Sequence, residues 1–138
     1  MNAQEPTPDD REVVLVVDDN DPVRQGLCRM LESAGIRSVG ASSFQDAVRL
    51  QAVHLPAVAV LDARLPDGSG TDLADAIKER NPETMVIMLT GFAALDRPVD
   101  AVERFYAYLI KPVRSVEFIE VVKDALAERQ SKREPDPG

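Results

Sequence analysis

Val13-Val14-Leu15-Val16-Val17 runs straight into Asp18-Asp19-Asn20-Asp21-Pro22. A β-branched apolar run of this length reads as a short strand buried on both faces. Two acids at its end, then Asp21 as N-cap with Pro22 at the first helical position, read as a turn into a helix. Val23, Leu27, Met30, Leu31 and Ala34 then recur at helical spacing, and Gly35 stops the helix. A doubly buried strand joined to an amphipathic helix is the unit of a parallel sheet covered on both sides.

The same unit repeats along the chain. Ile36 to Ala41 is a weaker strand, and Ser42 with Gln45 reads as a capping box opening a helix to about Val53. Ala57 to Leu61 is a second strongly apolar strand. The loop Leu65-Pro66-Asp67-Gly68-Ser69-Gly70 follows it, then a helix with Leu73, Ala76 and Ile77 inward. Met85 to Leu89 is a further buried strand, and a short helix is expected near Asp96-Arg97-Pro98. Tyr106 to Ile110 is the last strand. Ser115 opens a final helix with Val116, Ile119, Val122 and Leu126 on one face. Of the ten prolines, four lie in the tails and six at element boundaries, which supports these divisions. The expected fold is α/β: a doubly wound, five-stranded parallel sheet of order 2-1-3-4-5, of flavodoxin-like size. One receptacle of core fits the 138 residues. The expected organisation is a disordered tail at 1–11, one domain at 12–127, and a disordered tail or linker at 128–138.

Composition narrows the function classes. A net charge of -8 argues against a broad nucleic-acid surface. No run approaches a membrane span or a signal region, so a cytoplasmic protein without membrane contact is expected. The lone Cys28 has no disulfide partner and reads as a core thiol. His54, the only histidine, reads as a surface loop residue rather than a phosphodonor or metal ligand.

Polar residues gather where the strands end. Asp18-Asp19 follow the first, Asp62 the third, Thr90 the fourth and Lys111 the fifth. In sheets of this type ligands bind at the carboxyl ends of the strands, beside the reversal of strand order. Order 2-1-3-4-5 makes the first and third strands neighbours, so the three carboxylates converge and repel. A divalent cation resolves that repulsion, and hard oxygen donors suit Mg²⁺ or Mn²⁺. Without histidine or cysteine the set does not fit zinc. Metal plus ammonium around a carboxylate nucleophile suits phosphoryl transfer. Singly, each residue is also explained as a cap, a turn or a strand end.

The ordered set resembles the receiver domain of bacterial two-component response regulators, over about residues 12–127. The motifs are the strand ending Asp18-Asp19, Asp62 with Leu65-Pro66 and Gly70, the strand ending Thr90-Gly91, and Tyr108-Leu109-Ile110-Lys111-Pro112. The resemblance implies that Asp62 accepts a phosphoryl group from a phosphohistidine on a sensor kinase or phosphotransfer protein. It implies Mg²⁺ held by Asp19, Asp62 and the backbone carbonyl of Arg64, with Asp18 acting through water. Thr90 and Lys111 would contact phosphoryl oxygens, the Lys111–Pro112 bond would be cis, and Thr90 with Tyr108 would form the switch. Output would run to a downstream protein, or to a second copy in a homodimer, across the fourth helix, fifth strand and fifth helix. Arg64 and Phe92 stand where the family tunes dephosphorylation. Arg104-Phe105-Tyr106-Ala107 departs from the usual Gly-Ala pair before the last strand, and Pro98 alters the fourth helix, so the output face is not carried over.

Such a protein catalyses only its own phosphorylation and dephosphorylation and is not an enzyme in the ordinary sense. Two alternatives remain. One is an interaction module of the same fold that no longer uses phosphate. The other is a haloacid-dehalogenase-type phosphatase with Asp19 as nucleophile, on the pattern Asp19-Asn20-Asp21-Pro22-Val23. With no room for a second domain after residue 127, the chain is either a free-standing receiver or a piece of a longer regulator, and Met1 favours the former.

Overall fold

The computed structural model describes residues 12–91 and 105–133. Its main sheet has five parallel strands: β1 (Val13–Val17), β2 (Arg37–Ala41), β3 (Val58–Asp62), β4 (Met85–Thr90) and β5 (Ala107–Ile110). The spatial order is β2-β1-β3-β4-β5, as the sequence pattern predicts. Four described helices accompany it: α1 (Asp21–Ser33), α2 (Phe44–His54), α3 (Gly70–Arg80) and α4 (Ser115–Arg133).

Alternation along the central strands sends side chains to two cores. Val14, Val16, Val58, Val60, Ile87 and Leu89 face Leu27 and Leu31 of α1 and Phe118, Val122 and Ala125 of α4. Leu15, Val17, Ala59, Leu61, Val86 and Met88 face Ala47 of α2 and Leu73, Ala74 and Ile77 of α3. Both strand faces are therefore dry, which is why those strands read as unbroken apolar runs. β2 lies at an edge and is only partly buried, which explains its weaker pattern. Cys28 is half-buried against the first core.

Several boundaries differ from the sequence expectation. Asn20, not Asp21, caps α1: its side chain accepts from Val23 N at 3.0 Å. Ser43, not Ser42, caps α2 by accepting from Asp46 N at 3.1 Å. His54 is the last residue of α2 and is half-buried, not in a loop. In α4, Val122 is buried and Ile119 and Leu126 are partly buried against the core as expected, but Phe118, Ala125 and Arg129 are buried as well and Val116 is 71% exposed. The helix runs beyond Ala127 to Arg133. Buried Arg129 holds it there through Glu12, at 2.6 Å, in front of β1. The expected helix near Asp96-Arg97-Pro98, the tail 1–11 and residues 134–138 lie outside the described residues. Among the described residues no helix is long and apolar enough to cross a membrane.

Leu55 closes α2 in the left-handed conformation, with φ 48°, and is 57% exposed. That conformation costs a residue bearing a Cβ roughly 1–2 kcal/mol, and glycine escapes the cost. Leu55→Gly is expected to raise stability by about 1 kcal/mol, read as a higher urea midpoint at unchanged slope. A lower midpoint would show that the leucine side chain contributes packing that outweighs the backbone strain.

Candidate functional site

β1 and β3 are paired with Val17 opposite Leu61, so Asp18 and Asp62 stand side by side at the next step. Asp62 ends β3 and Thr90 ends β4. Lys111 N donates to Thr90 O at 2.9 Å, which sets the lysine beside the threonine. The Lys111–Pro112 peptide bond is cis. The switch in strand order thus brings Asp18, Asp19, Asp62, Thr90 and Lys111, all nominated from the sequence, to one end of the sheet.

They line or underlie an open cleft of about 430 Å³ whose walls include Asp19, Asp62, Arg64, Thr90 and Lys111. Asp18 is fully buried beneath it, Asp62 is 8% exposed, and Asp19 is open to solvent. Carboxylate oxygens of Asp18, Asp19 and Asp62 lie within 4.8 Å of one another. Lys111 Nζ is 2.8 Å from Asp18 Oδ2 and 3.2 Å from Asp62 Oδ2. One ammonium against three carboxylates leaves the cluster negative. The donors are hard oxygens, partly exposed, with space for water. They fit Mg²⁺ or Mn²⁺ and not a thiolate- or imidazole-seeking metal.

Burial raises the Asp62 carboxyl above its ordinary range, and the Asp18 charge adds to the effect. The Arg64 N–H, 3.2 Å from Asp62 Oδ1, and the Lys111 ammonium oppose this without cancelling it. For Lys111, burial works against the charged form. Contact with Asp18 and the charges of Asp62 and Asp18 outweigh it and hold the ammonium more firmly protonated. Thr90 is buried, with its hydroxyl donating to Gly91 O at 3.2 Å. Tyr108 is half-buried and meets Phe105 edge-on at 5.7 Å between ring centroids. Phe92, and with it most of the segment between Thr90 and β5, lies outside the described residues.

Two neighbours escaped the sequence reading. Asp67 accepts from Phe44 N at 2.8 Å and Gln45 N at 3.2 Å, pinning the loop after β3 to the start of α2. Those N–H groups hold its carboxyl below the usual range. Arg24 donates to Asp18 O at 2.9 Å and pairs with Asp21 at 2.7 Å. An aspartate between Pro66 and Gly68 carries an ordinary turn signal, and nothing in local sequence distinguishes this long-range cap. Asp21 is the second carboxylate of the phosphatase pattern. It opens α1 and pairs with Arg24 away from the cluster, so the geometry does not assemble that alternative.

Comparison with known proteins identifies the family. The response regulator receiver domain model matches residues 14–123. The photosynthetic apparatus regulatory protein RegA of Cereibacter sphaeroides is 33% identical over 125 residues, covering 90% of this chain and 66% of RegA. Response regulator protein PilR of Pseudomonas aeruginosa is 34% identical over 128 residues, covering 92% of this chain and 29% of PilR. The chain therefore spans less than two thirds of either relative. A response regulator receiver domain protein from Clostridium thermocellum superposes with a TM-score of 0.82 at 28% identity, over 88% of this chain and 98% of that one. With strand order, cleft and family match in agreement, the chain belongs to the response regulator receiver domain family, whose role in two-component signalling is to accept a phosphoryl group.

Proposed function

We propose that Asp62 is the phosphoacceptor, taking its phosphoryl group from a phosphohistidine of a sensor kinase or phosphotransfer protein. The observation that carries this reading is that Asp62 is a carboxylate in the cleft wall with Lys111 on one side and Asp18-Asp19 on the other. A carboxylate oxygen of Asp62 attacks phosphorus in line. The bond from phosphorus to the donor nitrogen breaks, and the nitrogen keeps the electron pair. Lys111 stabilises charge on a phosphoryl oxygen, and the Thr90 hydroxyl donates to another. Asp19, Asp62 and the Arg64 carbonyl would hold Mg²⁺ directly, with Asp18 beneath acting through water. The ion supplies further neutralisation of the incoming phosphoryl charge.

Thr90 stands two strand positions from the level of Tyr108, since Thr90 pairs with Ile110 and Met88 with Tyr108. Movement of Thr90 toward a phosphoryl group would open space beside Tyr108, and the ring would turn inward. The change would reach β5 and α4, where Ile110 at the end of β5 and Tyr106 just before its start are exposed. A downstream protein or a second copy of the chain would bind there, and the chain turns over no separate product. The reading also takes the working domain to run from Glu12 to the end of α4 at Arg133, acting in the cytoplasm.

The test is incubation with Mg²⁺ and acetyl phosphate, followed by intact mass. One acid-labile adduct of a single phosphoryl group is expected, absent in Asp62→Asn and absent when the metal is chelated. An adduct retained by Asp62→Asn, or mapped to Asp19, rejects the assignment. No adduct, together with no beryllofluoride signal by fluorine NMR, favours the phosphate-independent module instead.

A further inference from the structure

Arg24 ties together the turn on which the acidic pair stands. Its side chain is 17% exposed, within the first turn of α1. One guanidinium nitrogen donates to the Asp18 main-chain carbonyl at 2.9 Å, and the other lies 2.7 Å from the Asp21 carboxylate. The guanidinium thus bridges the start of the β1–α1 turn to its end. Its stem crosses β2 at Gly40, where an added Cβ would lie 3.2 Å from Arg24 Cδ and 3.3 Å from Cγ. A side chain at Gly40 would therefore press the stem aside by a few tenths of an ångström. None of these contacts reaches a carboxylate of the cluster.

A fixed positive charge beside a cation site is unfavourable in itself, because like charges repel through the weakly polar interior. Asp21 offsets that charge at 2.7 Å, and the contact left toward the site is the hold on the Asp18 carbonyl. We propose that Arg24 is a positioning residue for divalent-cation binding: it holds the Asp18 carbonyl, thereby setting the turn that presents Asp18 and Asp19, and Gly40 leaves room for its stem. Asn20 N donates to Asp18 Oδ1 at 2.9 Å within the same turn, so a shift of the Asp18 backbone also re-aims that carboxylate. This inference rests on the metal reading above.

The sign of one measurement separates positioning from charge. Arg24→Met keeps most of the stem and removes the donors and the charge. If Arg24 acted through charge alone, its removal would tighten cation binding. If it positions the turn, removal weakens binding, by about 10-fold on the scale of outer ligand supports. The probe is Mn²⁺, with the free ion followed by electron paramagnetic resonance, and melting is recorded in metal-free buffer. Gly40→Ala, which keeps every charge, is expected to weaken Mn²⁺ binding in the same direction and to add little to Arg24→Met. Arg24→Lys is expected to recover part of the affinity through one remaining donor.

Unchanged or tighter Mn²⁺ binding in Arg24→Met overturns the inference, even if melting falls, because the residue would then be structural only. Should Arg24→Met fail to fold, unchanged binding in Gly40→Ala and Arg24→Lys overturns it equally. Absence of saturable Mn²⁺ binding in the unaltered protein, or binding untouched by Asp19→Asn, overturns the metal reading and this inference with it.

Discussion

Gly70→Ala is expected to cost the fold about 3 kcal/mol, the upper part of the range for overpacking, and to slow phosphorylation of whatever remains folded. Gly70 is buried at the start of α3, directly under the end of β3. A Cβ at this position would run into the Asp62 main-chain carbonyl and would lie 3.0 Å from both Ala63 Cα and Met88 Sδ. The nearest obstacles are backbone, which has no rotamer to change. The backbone is also anchored: Gly70 N donates to Ala63 O at 2.9 Å, and Ala63 N donates to Leu89 O at 2.8 Å. Relief therefore requires parting α3 from β3 or bending the peptide that carries Asp62. Chemical denaturation reads the first effect and the rate of acetyl phosphate adduct formation reads the second. Unchanged stability would show that the close approach is not a constraint. Lost stability with an unchanged adduct rate would show that Asp62 does not move with its carbonyl.

The same contact shows what sequence reading reaches and where it stops. Gly70 stood out as loop punctuation, but the reason for a glycine is a backbone from another element, which no local pattern contains. Val13–Val17 and Val58–Asp62 were legible because both their faces are dry, so composition alone marks them. The cleft was legible because strand ends are one-dimensional markers of a three-dimensional meeting place: Asp62, Thr90 and Lys111 each terminate a run. The helix starts were read one residue out at both Asn20 and Ser43. Adjacent residues there both offer side-chain oxygens, and the choice between them is made by backbone angles set during packing. Arg129 was assigned to a tail because charge usually marks solvent. Only the fold brings Glu12 to within 2.6 Å of it. Arg24 and Asp67 were missed for the same reason, since their partners are main-chain groups that every residue possesses.

In metal-free buffer at neutral pH, Asp62→Asn is expected to raise stability and Lys111→Met to lower it, each by on the order of 1–2 kcal/mol, or several degrees in melting midpoint. The cause is one charge count. Asp18 and Asp62 are buried together, with Lys111 Nζ at 2.8 Å and 3.2 Å as their shared counter-charge. Asparagine keeps the shape of Asp62 and removes one repelling charge. Methionine keeps the stem of Lys111 and leaves the carboxylates facing each other. The double variant is expected to be closer to the unaltered protein than either single change would suggest by addition, because the two groups are in direct contact. The pH dependence has a definite sign. Folding raises the Asp62 pKa, so its ionised form opposes folding. The opposition is complete above the raised folded value. It fades as pH falls through that value and vanishes below the ordinary value near 3.8. The advantage of Asp62→Asn must therefore shrink on acidification. Mg²⁺ acts from the other side. Binding to the folded form alone stabilises the unaltered protein in proportion to the logarithm of ion concentration and does far less for a variant lacking a ligand. Saturating Mg²⁺ should consequently narrow or reverse the gap between Asp62→Asn and the unaltered chain. A gap unmoved by both acid and Mg²⁺ would show that the three carboxylates are not a coupled cation site, and the role assigned to Asp62 would lose its electrostatic basis.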